Sequence, residues 1–108
     1  MQTVIQVLCT GGVSLRQTIA DDQEGLEQFQ LKLGRQRIAN GHPGWTEVRG
    51  RGNTWAALKI SWDMPTTTLT CRVASRRLAR PHPIASKFVD FLLYRYSERI
   101  KAVSIFNI

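Results

Sequence analysis

The sequence predicts an α+β two-layer sandwich: a largely antiparallel sheet with two helices on one face, in the order β-α-β-β-β-α-β, a ferredoxin-like variant. Three observations predict it. Two adjacent segments between 54 and 75 alternate apolar and polar residues around a short turn. Two flanking stretches carry apolar residues at helical spacing. Short runs rich in Val and Ile lie at 2–9 and 102–108. The 108 residues suit one domain, 1–108, large enough to bury a core without metals or disulfides. Hydrophobic residues make up 43 % and charged residues 21 %, the balance of a folded globular chain.

QTVIQVLC, 2–9, is the first strand. Val4, Ile5, Val7 and Leu8 put apolar groups on both of its faces, which places it inside the sheet. Thr10-Gly11-Gly12 ends it. In the next stretch Leu15, Ile19, Leu26, Phe29 and Leu33 fall within about 80° of one another on a helical wheel. A helix is therefore expected from Ser14 or Asp22 to about Ala39, with Ser14 as an N-cap and Asn40-Gly41 as its stop. The competing signal is the alternation of Phe29, Leu31 and Leu33 with Gln30 and Lys32, which is the grammar of a strand.

WTEVR, 45–49, reads as a short strand, and GRGN, 50–53, as a turn. TWAALKISW, 54–62, and TTLTCRVAS, 67–75, form a hairpin about a loop at 63–66. That loop sets Ile60 opposite Leu69, Leu58 opposite Cys71, Lys59 opposite Thr70 and Ala57 opposite Arg72. One face is then apolar, and the other carries Trp55, Lys59, Ser61, Thr68, Thr70 and Arg72. Residues 84–99 make an amphipathic helix started by Pro83, with Ile84, Ala85, Phe88, Leu92 and Tyr96 toward the core. AVSIFNI, 102–108, is the last strand. Trp45, Trp62, Phe88, Phe91, Tyr96 and Phe106 are expected in the core, whereas Trp55 and Tyr94 fall on polar sides.

Charge carries the functional expectation. Residues 1–40 balance four basic against four acidic residues, so the whole +7 excess lies in 41–108. Trp55, Lys59 and Arg72 on the open face, continued by Arg76, Arg77 and Arg80, combine phosphate-holding cations with an aromatic that can stack a base. These six are the candidate nucleic-acid-binding residues of a small non-enzymatic module whose partner is RNA or DNA. The same residues also suit a solvated face that keeps the sheet soluble. The second expectation is an interaction or structural domain, a homodimer joined through the open face or an edge strand. The third is a metal-independent ribonuclease using His42 and His82, both expected in loops.

Other chemistry finds less footing. CTGGVS, 9–14, lacks the spacing of a P-loop or of GxGxxG and is most simply a strand-to-helix turn. Cys9 and Cys71 have no CxxC partner and sit in strand patterns, so buried free thiols are expected and no zinc site or other cofactor. The acids at 21–27 suit a helix N-terminus. No apolar run spans a bilayer, and no signal-peptide pattern opens the chain, so a cytoplasmic protein with no membrane partner is expected.

Overall fold

Leu31 and Leu33 do point at the core, but from a strand and not from a helix. The computed structural model describes residues 3–39, 42–50, 56–75 and 82–107. Its elements are β1 (Thr3–Cys9), α1 (Leu15–Ala20), α2 (Gln23–Gln28), β2 (Leu31–Ala39), β3 (His42–Gly50), β4 (Ala56–Asp63), β5 (Thr68–Ser75), α3 (His82–Arg95), a 3-10 turn (Ser97–Arg99) and β6 (Ile100–Asn107). This is an α+β arrangement of three α-helices on a six-stranded sheet, ordered β2-β3-β4-β5-β1-β6. Every recorded neighbour pair is antiparallel. The expected ferredoxin-like order is therefore replaced: the first helical stretch yields two short helices and an extra strand.

Both proposed helix starts are real, and each opens its own helix. Ser14 caps α1, its hydroxyl accepting from the Gln17 N–H at 3.3 Å. Asp22 caps α2, its carboxylate accepting from the Gly25 N–H at 3.1 Å. Helix α2 ends because Gln30 adopts a left-handed backbone, φ 58°. That conformation closes a helix C-terminus, and no Gly or Asn at 30 advertises it. The chain then extends as β2. Leu15, Ile19 and Leu26 are fully buried, and Phe29 and Leu33 pack against the same core.

The core lies between the helices and one face of the sheet. Ile5, Val7 and Cys9 alternate into it from β1, Leu58, Ile60 and Trp62 from β4, and Leu69, Cys71 and Val73 from β5. Phe88, Phe91 and Leu92 of α3 are fully buried against them. β1 lies between β5 and β6, the interior position its two apolar faces predicted.

The β4–β5 hairpin keeps its expected faces but is shifted by two residues. Ile60 pairs with Cys71, Leu58 with Val73, Lys59 with Arg72 and Ala57 with Ala74. The loop is 64–67, not 63–66, because Asp63 still belongs to the ladder opposite Thr68. The Asp63 carboxylate then accepts from the Thr66 N–H at 3.2 Å and from the Thr66 hydroxyl. Thr67 turns through φ 48° and is pinned to Cys9 in both directions, its carbonyl accepting from the Cys9 N–H at 2.9 Å and its hydroxyl donating 2.8 Å to the Cys9 carbonyl, while its own N–H closes the turn onto the Met64 carbonyl at 3.3 Å. A slip of two preserves facing, whereas a slip of one would invert it. Among the described residues no helix is long and apolar enough to cross a membrane.

Candidate nucleic-acid interface

Alternation that sends one set of side chains inward sends the other to the opposite face. Pairing carries two rows across that face. One runs Arg37, Trp45, Ser61, Thr70, Gln6, Ser104, from β2 to β6. The next runs Glu47, Lys59, Arg72, Val4, Phe106, from β3 to β6. Lys59, Arg72, Arg37 and Arg49 are exposed, and among the described residues no helix lies over them.

The centre of the site is an acid surrounded by cations. Glu47 is 7 % exposed although it faces away from the core. It accepts from Arg49 Nε at 2.5 Å and from the Arg35 N–H, which the irregular pairing of β2 between Leu33 and Gln36 presents to it. Burial pushes the Glu47 carboxyl up, but the Arg49 hydrogen bond, the Arg35 N–H and the charges of Arg49 and Lys59 outweigh it and hold the group below its ordinary range. Gly34 makes this possible: a Cβ there would collide with the Glu47 carboxylate and press on Arg49.

Lys59 Nζ stands 4.6 Å from the centre of the Trp45 ring, a cation–π contact worth about 0.5–1 kcal/mol at an exposed site. Directly across from Lys59 is Arg72, so two cations face each other. Arg72 has no acidic partner among the described residues. Like charges directly opposed in a sheet destabilise it.

Of the six residues singled out from the sequence, the structure brings Lys59 and Arg72 together on the open face. Trp55, Arg76, Arg77 and Arg80 lie outside the described residues. The aromatic that the structure does place beside Lys59 is Trp45, half-buried on the open face and not in the core as expected. Its alternation with Val48 and Thr46, both buried, carried that signal. Phe106 also departs from expectation, at 45 % exposed on the edge strand. Trp62, Phe88 and Phe91 are buried as expected, and Tyr94 is exposed.

The histidines are not loop residues. His42 opens β3 and His82 opens α3. His42 precedes Trp45, which pairs with Ser61 near the end of β4 marked by Asp63, opposite Thr68 of β5. The start of α3 lies at the other end, where Ala85 and Ser86 line a hollow with Thr3 and Asn107. The register therefore sets the two backbone positions toward opposite ends of the sheet.

The CTGGVS turn is held as structure. Arg99 Nη2 donates to the Val13 carbonyl at 2.8 Å and to the Thr10 carbonyl at 3.4 Å, and the Thr10 N–H donates to the Arg99 carbonyl at 2.8 Å. Gly12 sits at φ 135°, a conformation that side chains rarely adopt. Cys9 and Cys71 are buried free thiols, and burial pushes both thiols up. Arg99 and the Leu69 backbone oppose that rise at Cys9.

One polar cluster had no sequence signal, because its members are 73 and 74 residues apart. Asp22 accepts from Arg95 Nε at 2.9 Å, Arg95 Nη2 at 2.7 Å and the Tyr96 hydroxyl at 2.6 Å. The Arg95 hydrogen bond, with Tyr96 and the Gly25 N–H, holds the Asp22 carboxyl below its ordinary 3.8 against the opposing effect of burial. The cluster straps α2 to the C-terminal end of α3 on the helical side of the molecule. No family model, no curated protein sequence and no solved structure matches the chain.

Proposed function

We propose that the open sheet face binds single-stranded nucleic acid, with Lys59 and Arg72 on phosphates and Trp45 available to stack a base. The reading extends to the arm that follows Arg72 in the chain, Arg76, Arg77 and Arg80, and to Trp55 ahead of β4. Its single strongest support is the facing pair Lys59 and Arg72. A face serving only solubility is better built from opposite charges across each pair, which stabilise the sheet. Glu47 answers Lys59 on its other flank, but Arg72 has no such acid among the described residues, so the pair costs stability until an anion lies against Arg72. The charge excess of residues 41–108 and the aromatic against Lys59 agree with this.

The test is fluorescence anisotropy of labelled single-stranded RNA and DNA oligonucleotides over a range of salt. Affinity falls steeply with salt, because each neutralised phosphate releases counterions. The Lys59→Ala/Arg72→Ala double variant binds at least about tenfold more weakly at low salt, and its log–log salt slope is shallower by about 1.4, the value for two phosphate contacts on a single strand. Absence of oligonucleotide binding by the unaltered protein at low salt, or an unchanged slope in the double variant, rejects the proposal.

A further inference from the structure

Among the described residues the sheet has two edges, and one is blunted far more than the other. β2 at one edge carries Lys32, Arg35 and Arg37, and its pairing with β3 is irregular between Leu33 and Gln36 and again between Arg37 and Ala39. Charges and irregularities are the usual means of keeping an edge from pairing with another chain. β6 at the other edge has less of both: its irregularity is confined to its start, where Leu8 pairs with Ala102 but Cys9 with Ile100. It is eight residues long, holds Lys101 as its one charge, and pairs regularly with β1 from Ala102 to Asn107. Its apolar groups are exposed on both faces, Ile105 at 57 % and Phe106 at 45 %. Beside it on the helical side, Leu93 of α3 is 47 % exposed, and a hollow of about 240 Å³ opens between α3 and β6, with Val89 and Ile105 in its walls.

We infer that β6 pairs antiparallel with β6 of a second copy, joining the two sheets into one. A two-fold axis through Ser104 sets the register. Lys101 then lies opposite the partner's Asn107, Ala102 opposite the partner's Phe106, and Val103 opposite the partner's Ile105. The pairing is self-complementary in size, large against small, and brings no two cations into register. Parity is kept as well: residues that face the helices in one copy meet residues that face the helices in the other, as a continuous sheet requires. On the open face Leu8 neighbours Ala102, so the partner's Phe106 extends that apolar row. On the helical face Val7 neighbours Val103, so the partner's Ile105 does the same.

Area favours a second copy as the occupant. An eight-residue strand is about 26 Å long, and the smallest extent of the molecule, 25 Å, bounds the depth of the edge. That bounds the joint at roughly 650 Å² per copy, enough to reach the total of about 1,000 Å² of a specific dimer. The strand ladder adds directional hydrogen bonds, and isologous two-fold pairing closes without leaving a free β6 edge.

Sedimentation equilibrium and oxidative cross-linking test this together. The unaltered chain sediments at twice its 12.3 kDa mass at tens of micromolar and dissociates on dilution. Ile105→Lys, a change at an exposed position, places two new cations in the centre of the joint and raises the dissociation constant by at least about 30-fold, the scale of a lost central contact. Circular dichroism of that variant confirms that it remains folded. In Ser104→Cys the two new thiols face each other at the axis and form a disulfide-linked dimer, while Lys101→Cys, displaced by six residues along the strand from its own copy, does not link. Cys9 and Cys71 are buried and do not compete. A monomer at every concentration overturns the inference and leaves β6 open to a strand from another protein. A dimer that Ile105→Lys leaves intact overturns it too.

Discussion

The two faces of the sheet are made by the same strands, yet they are built on different principles. In β4, Leu58 and Ile60 are fully buried while Lys59 between them is exposed. In β5, Cys71 and Val73 are buried while Arg72 between them is exposed. The helical face is packed to exclude water, so its energetics follow volume and contact. The open face sets Lys59 between Glu47 and Arg72, so its energetics follow charge and solvent. The strand period of two lets one segment serve both ends independently, since neighbouring residues share backbone but not surroundings.

If that division holds, substitutions on the two faces separate cleanly. The largest effect falls on the packed side. Phe88→Ala empties a fully buried ring site where α3 meets the sheet, and costs about 3–5 kcal/mol of stability. Thermal unfolding reads this as a midpoint lower by more than about 10 °C. A smaller loss would mean that the helical layer collapses around the gap.

The strap between α2 and α3 comes next. Asp22→Ala removes a helix cap, and the cap alone is worth about 1–2 kcal/mol. The same residue gives a signature in acid. Its folded pKa is depressed, so its contribution is complete above the ordinary 3.8 and is lost as pH falls through the lower folded value. Acid titration of stability should therefore show a steeper decline below that point in the unaltered protein than in Asp22→Ala. Equal slopes would remove Asp22 from the account. At the small end, the Lys59→Ala/Arg72→Ala variant should change stability by less than about 1 kcal/mol, the lost Trp45 contact being partly offset by relieved repulsion, while losing oligonucleotide binding. A large destabilisation there would show that the open face also carries structure.

Much of the packed face was legible in the sequence, because period-two alternation over 56–75 states directly which residues turn inward. The hairpin register was not, because DMPTTT holds no Gly or Asn to mark the turn positions; the frame is set by the Asp63 side chain and by Thr67 in a left-handed conformation. Leu33 satisfied helical and strand spacing at once, and the deciding feature, the left-handed Gln30, carries no residue signature. On the open face, the Lys59 and Arg72 side was readable but their direct opposition was hidden by the two-residue slip. The Glu47 cradle was invisible altogether. It depends on β2 lying beside β3, and so on the strand that helical spacing concealed. The strap at Asp22 joins residues more than seventy positions apart, where no local pattern exists.

The placement of β1 has a bearing on how the chain reaches this state. β2, β3, β4 and β5 follow one another as a meander, each pairing with its neighbour in sequence. β1 instead waits for β5, whose Val73 meets Thr3, and for β6, whose Asn107 meets Thr3 from the other side. During synthesis the meander can assemble while β1 has no partner on either flank. Two apolar faces then stay exposed until the chain has lengthened by about seventy residues, and the second flank stays open for about thirty more. Such distant closures slow folding and lengthen the interval in which an unpaired apolar strand is open to misassembly. An interior strand of the finished sheet is thus made before either of its partners and secured only once both have followed.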